Sequence, residues 1–156
     1  MFEFIKRLFC KEQLPKKQPV VLTGLQLAEM QRYTEVDWPK PPDNLGKGSI
    51  VFFLDKHNEP QSGAIQAIKC NGPKTTYRVA YGEGKEKSLQ AGTVFPTREL
   101  CLTAAIGEHW KAIRRYYKGL QDAGEANKSV IEYTLGKVKA HKDLISFLEV
   151  QKEKQA

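Results

Sequence analysis

The hydrophobic pattern changes from a strand to a helix period near residue 103, and that change most constrains what the chain can fold into. Between residues 49 and 102 the apolar residues come in short β-branched and aromatic runs, "SIVFFL", "GAIQAIKC", "TYRVAY" and "GTVF", separated by Gly, Pro, Asn and charged residues. Runs of this kind read as strands. In "TYRVAY", Tyr77, Val79 and Tyr81 alternate with Arg78 and Ala80, the two-residue period of a half-buried strand. After Thr103, a residue suited to an N-cap, the period becomes helical. Ile106, Trp110, Ile113, Tyr117 and Leu120 recur at alternating steps of four and three, one apolar stripe. Gly124 suits a helix stop. Ser129 and Glu132 have capping-box spacing, and Ile131, Leu135, Val138, Ile145 and Leu148 form a second stripe.

The region before residue 49 is irregular. Residues 2–12 can form a short amphipathic helix, with Phe4, Ile5, Leu8 and Phe9 near one face, that docks on the body. "TGLQ", Thr23 to Gln26, fits a capping box and predicts a helix over about 24–35. "WPKPPDNLGKG", Trp38 to Gly48, cannot be helix, because its prolines remove donors and push their predecessors towards extended geometry. It reads as an extended strap with Trp38 packed down as an anchor. Pro39 and Pro42 also have the spacing of a PxxP ligand. Downstream, "TREL" suits a single helical turn and "LCL" a fifth short strand. Three parts result: N-terminal helices and strap over 1–44, a five-stranded β-barrel over 45–103, and a C-terminal two-helix hairpin over 104–156. The fold class is α+β.

Residues 48–102 resemble the SH3-like barrel superfold, in particular its Tudor and KOW members. "GSIVFFLD" resembles their first strand, "GAIQAI" the second, "YRVAYGEG" the third with its Gly turn, and "VFPTREL" the closing strand and terminal turn. The resemblance implies a small closed barrel that binds nucleic acid or protein. Gln61 and Ser62 stand where methyl-reading Tudor domains carry an aromatic. The ALYDY motif of peptide-binding SH3 domains is absent, and "GTVF" replaces the VQIY of the plasmid-encoded reductases built on this barrel. Short basic proteins of this build resemble accessory products of phages or mobile elements.

Chemistry-bearing motifs are sparse. "YGEGKEKS", Tyr81 to Ser88, superficially resembles a phosphate loop, but a Walker A frame on Gly84 puts Val79 at the first glycine and Glu86 after the lysine. Its glycines read as a hairpin turn. Cys10, Cys70 and Cys101 have neither disulfide nor zinc spacing, so a reducing, cytoplasmic setting is expected, with Cys70 and Cys101 as small buried hydrophobes. His57 falls in a polar loop with Asp55 and Glu59, His109 beside Trp110 at a packing boundary, and His141 at the edge of the helical core. No nucleophile motif, cofactor motif or metal-ligand spacing is present, and the chain reads as non-enzymatic. No signal peptide and no membrane-spanning run is expected.

Charge is the functional signal that remains. Lys and Arg exceed Asp and Glu by 25 to 18, a net +7 that favours an anionic partner. "KAIRRYYK" places Lys111, Arg114, Arg115 and Lys118 at i, i+3, i+4 and i+7, a face that can track phosphates, with Tyr116 on its flank. Lys69, Lys74, Arg78, Lys85 and Lys87 add a second group on the strands, beside tyrosines that would stack on bases if exposed. The expectation is phosphate-backbone binding of low sequence specificity, DNA ahead of RNA. The alternative is a protein-interaction adaptor or inhibitor of a host complex.

Overall fold

A computed structural model describes residues 16–40 and 45–155. The helix expected over 2–12, and Cys10 within it, lie outside them. Lys17–Pro19 is a short strand, β1, where the sequence shows only a chain break. α1 (Gly24–Glu35) starts as predicted. Thr23 Oγ1 accepts from Gln26 N at 3.2 Å, and Gln26 Oε1 accepts from Thr23 N at 3.0 Å. Both arms of the capping box satisfy N–H groups that have no partner inside the helix. After α1, Trp38 lies edge-on to Tyr33 and against the backbone of Gly107, where an added Cβ would stand 2.7 Å from the ring. The anchor role of Trp38 therefore depends on a glycine in a later helix.

Five antiparallel strands follow: β2 (Ile50–Leu54), β3 (Pro60–Asn71), β4 (Lys74–Tyr81), β5 (Lys85–Gln90) and β6 (Val94–Phe95). Their order in the sheet is β5-β4-β3-β2-β6. Gly72 (φ 64°) turns β3 into β4, and Gly82 (φ 59°) and Gly84 (φ 67°) turn β4 into β5. Only glycine adopts these angles cheaply, so "YGEGKEKS" is a hairpin tip.

Three expectations need correction. "KEKSLQ" is a strand, although only Leu89 in it is buried. It is a sheet edge, and two of its inward positions are lysines, so no apolar alternation marks it. "LCL" is not a strand. It lies in the first turns of α2 (Arg98–Ala123), which is capped by Thr97, whose Oγ1 accepts from Leu100 N at 3.2 Å, and not by Thr103. Cys101, Leu102, Ala104 and Ala105 are all buried, and an apolar run buried on several sides has no single-face period to read. Finally, the closed barrel is not formed. β5 and β6 are the two edges of the sheet and share no ladder. A 3₁₀ turn, Ala91–Thr93, leads into β6, whose two residues pair with Phe52 and Phe53 of β2 alone.

α2 ends at Gly124 (φ 69°), as predicted, and β7 (Glu125–Asn127) pairs with β1 before α3 (Lys128–Gln155) begins. Ser129 therefore sits inside α3, and Glu132 pairs with Lys128 at 3.8 Å instead of closing a capping box. One core lies within the sheet, around Val51, Phe53, Ile65, Tyr77 and Val79. A second joins the helices through Ile113, Tyr117, Val138 and Ile145. Cys101 and Ala104 of α2 pack with Phe95, Phe52 and Leu54, so the first half of α2 bridges sheet and helices. Burying Ile113 alone is worth roughly 1.5–3 kcal/mol. The described residues contain no helix long and apolar enough to cross a membrane.

Candidate functional site

The second half of α2 buries Ile113 and Tyr117 against α3, and its opposite, polar face is open. Lys111, Arg115 and Lys118 are exposed, while Arg114 is half-buried, its guanidinium 5.0 Å from the centroid of the Tyr33 ring of α1. None of the four forms an ion pair among the described residues. Positive charge left without a carboxylate partner is available to an anion outside the protein. Tyr116 on the flank packs, its ring 5.9 Å from that of His141.

The strand cations are not one rim. Ladder partners project to the same side of a sheet and alternate along each strand. Arg78 is opposite Ala67 and Ser88, and Lys69 is opposite Thr76, so Arg78, Lys69 and Lys74 share the outer face. Lys87 is opposite buried Val79, and Lys85 is opposite Tyr81, which places both on the inner face. Lys87 Nζ lies 6.0 Å from the Phe53 ring centroid. Arg78 is partly neutralised by Glu86 at 3.5 Å. Tyr77 is buried and Tyr81 packs edge-on to Phe53, so neither is an open stacking platform. The reading of exposed tyrosines beside basic residues is corrected accordingly. Cys101 is buried as expected, and burial pushes its thiol up to about 12 against the pull of Arg98. Cys70 is exposed and is not the buried hydrophobe expected.

Two polar clusters were not legible in the sequence. In the first, Glu29 of α1 is buried and accepts from Tyr117 Oη at 2.6 Å and from Lys142 Nζ at 2.6 Å. One carboxylate thereby ties α1, α2 and α3 together. Burial, with the Glu29 hydrogen bond and charge, drives the Tyr117 hydroxyl pKa well upward, so it stays a donor.

The second cluster gathers every histidine of the chain. His57, His109 and His141 line one cleft of about 680 Å³, together with Lys56, Glu59 and Arg98. Leu144, Phe147 and Leu148 of α3 supply its apolar wall. His109 is only 3% exposed, and its Nδ1 lies 2.8 Å from Nδ1 of His141. Such a contact needs one proton and one lone pair, so one ring donates and the other accepts. The donating ring then has a lone pair at Nε2, and the accepting ring has its proton there. Burial, aided by repulsion from His141, lowers the His109 pKa to about 4 from an ordinary 6.5. Burial, with Lys137 and Arg115 nearby, also lowers that of His141.

The loop carrying His57 is braced from beneath. Asp55 Oδ1 accepts from His57 N at 2.8 Å and Glu59 N at 3.0 Å, and Oδ2 accepts from Gln61 Nε2 at 3.1 Å. Partial burial works to raise the Asp55 carboxyl, but these donors outweigh it and hold it below its ordinary 3.8. Asn58 completes the turn at φ 59°. His57 is exposed, as a loop residue should be, yet it faces a defined cleft. The spacing of 52 and 32 residues between these histidines has no local signature. Among the described residues no three His, Cys, Asp or Glu side chains converge closely enough to hold a metal ion. No protein-family model and no curated protein matches the sequence.

Proposed function

We propose that this is a non-enzymatic nucleic-acid-binding protein that holds the phosphate backbone on the open face of α2, with duplex DNA preferred to RNA and little base readout. The observation that carries this is the set of Lys111, Arg115 and Lys118, exposed on one helix face with no carboxylate partner among the described residues. Arg114 contributes a fourth charge from its stacked position on Tyr33. Lys111 to Lys118 spans about 10 Å of helix at 1.5 Å per residue, against about 3.4 Å of duplex axis per phosphate on each strand, so roughly three phosphates lie within reach. Lys69, Lys74 and Arg78 on the outer sheet face are secondary contacts. Lys85 and Lys87 face inward and drop out of the proposed surface. The strand order, with a 3₁₀ turn before the last short strand, supports reading the sheet as an open SH3-like barrel of the Tudor or KOW kind.

Salt dependence tests the proposal. The logarithm of the association constant is expected to fall with the logarithm of salt concentration at a slope near −2.7 for about three phosphate contacts. Lys111→Gln, Arg115→Gln and Lys118→Gln together should weaken binding evenly across sequences and flatten that slope by nearly its full value. Failure to retain either DNA or RNA at low salt would sink the proposal.

A second reading, a protein-interaction module, is favoured by one observation. α3 exposes five large apolar side chains, Val130, Tyr133, Leu144, Phe147 and Val150, and exposed apolar surface can mark a protein contact. A stoichiometric protein partner that survives nuclease treatment and is lost with Phe147→Ser would favour it over nucleic acid.

A further inference from the structure

We propose that the phosphate-binding surface of α2 continues onto α3, where Arg115, Lys137 and protonated His141 hold one phosphate of the nucleic acid between them. This rests on the nucleic-acid reading and adds Lys137 and His141 to its surface.

The seam between the two helices brings the three groups together. The rings of Tyr116 and His141 are 5.9 Å apart, and Nδ1 of His109 lies 2.8 Å from Nδ1 of His141. This stretch of α2 therefore runs directly beside this stretch of α3. Arg115 adjoins Tyr116, and Lys137 stands one helical turn before His141, on the same side of α3. Arg115 and Lys137 are both exposed, and neither has an ion-pair partner among the described residues. Their charges reach the ring. After burial, Lys137 and then Arg115 are what oppose the charging of His141. Cations gathered around a protonatable ring disfavour its charged form, and an anion shared among them reverses that.

The contact with His109 decides what His141 offers. His109 is almost wholly buried and resists a charge, so a second proton on the pair goes to His141. The Nδ1–H of His141 then donates to Nδ1 of His109, and its Nε2–H points away from His109. Nε2 of His141 has no protein partner among the described residues. It is not enclosed either, since the only enclosed side-chain nitrogen or oxygen without a partner among those residues is Asn127 Oδ1. His109 thus positions the ring, and His141 presents a charged N–H outward, the kind of donor that phosphate oxygens accept most strongly.

The other charged groups near the ring do not change the sign. The cleft that His141 lines also carries Lys56, His57 and Glu59 from the β2–β3 loop and Arg98 from the start of α2. Glu59 is the single carboxylate in that lining, against the fixed charges of Lys56 and Arg98. Lys142, the next residue of α3, is already paired with Glu29 at 2.6 Å. A phosphate at the seam raises the His141 pKa from its lowered value, so binding takes up a proton and tightens as pH falls. One proton limits the effect to about tenfold per pH unit. A return of the ring to an ordinary 6.5 makes binding at pH 6 about threefold tighter than at pH 7.5.

The test is anisotropy of a labelled DNA duplex with the full chain at fixed low salt from pH 7.5 to 6, with circular dichroism confirming the fold at each pH. Histidine ring ¹⁵N signals give the His141 pKa with and without duplex. Wild-type binding should tighten about threefold over that range, and duplex should raise the His141 pKa. His141→Gln should bind without the pH dependence, and His57→Gln should keep it. Lys137→Gln, on an exposed side chain whose loss should not unfold the protein, should weaken duplex binding about threefold and raise the His141 pKa of the free protein. Duplex binding that ignores pH, or a His141 pKa unmoved by duplex, would overturn this inference and leave the nucleic-acid reading standing. So would wild-type affinity in Lys137→Gln, or wild-type pH dependence in His141→Gln. Duplex that is not retained at any pH at low salt would overturn both.

Discussion

Acidification should destabilise this protein before its carboxylates titrate, and His109 is the reason. The ring is buried on α2 and in contact with His141, and its pKa is lowered to about 4 from an ordinary 6.5. The folded state therefore prefers the neutral ring. A depressed pKa contributes stability that is complete above the unfolded value of 6.5 and is lost as pH falls towards 4, because in that window the unfolded chain binds the extra proton. At pH 5 the difference from His109 alone is about 2 kcal/mol relative to pH 7.5. His141 acts in the same direction, since burial, then Lys137 and Arg115, oppose its charging. For a chain of this length a loss of about 2 kcal/mol lowers Tm by about 4–8 °C. Urea unfolding at half-unit steps from pH 7.5 to 5 measures it, with His109→Phe as the comparison. That variant removes the titrating ring and keeps an apolar volume, so its stability should vary much less over the same range. A wild-type loss under about 0.5 kcal/mol would refute the assignment of a neutral buried pair. So would an unchanged slope in His109→Phe.

Other perturbations probe the frame that holds the two surfaces. Glu29→Leu should cost about 2–4 kcal/mol in denaturant unfolding, because Tyr117 and Lys142 lose their shared acceptor. Combined with Tyr117→Phe it should show a coupling energy above about 1 kcal/mol. Gly63→Ala would put a Cβ 2.5 Å from the Ala80 carbonyl oxygen and 2.6 Å from Val79 Cγ1, so β3 and β4 must part. A loss of about 2 kcal/mol or more is expected, and a wild-type melting temperature would contradict it. Gly107→Ala would displace the Trp38 ring, which its Cβ would meet at 2.7 Å. A red-shifted tryptophan emission with a cost of about 1–2 kcal/mol is the expected reading.

The sequence by itself determined the elements whose apolar residues face one core. The stripe from Ile106 to Leu120 forms a helix because a single face of it is buried, and "TYRVAY" forms a strand because alternate residues are. Local chemistry was equally legible at the Thr23 capping box and at the Gly72, Gly82, Gly84 and Gly124 turns, where the cause lies within a few residues. Elements whose environment is set from afar were not. Lys85 and Lys87 occupy the inner face of an edge strand and erase its period, and Cys101, Leu102, Ala104 and Ala105 are buried by sheet and helices at once and lose theirs. The face on which each strand cation lies, and the gap between β5 and β6, depend on ladder register. Register is a relation between segments and cannot be read from either alone. The basic face of α2 could be read because eight consecutive residues of one helix, Lys111 to Lys118, contain it. The histidine cleft could not, because the β2–β3 loop, α2 and α3 supply its three rings from positions far apart in sequence, and only their packing makes His109 and His141 neighbours.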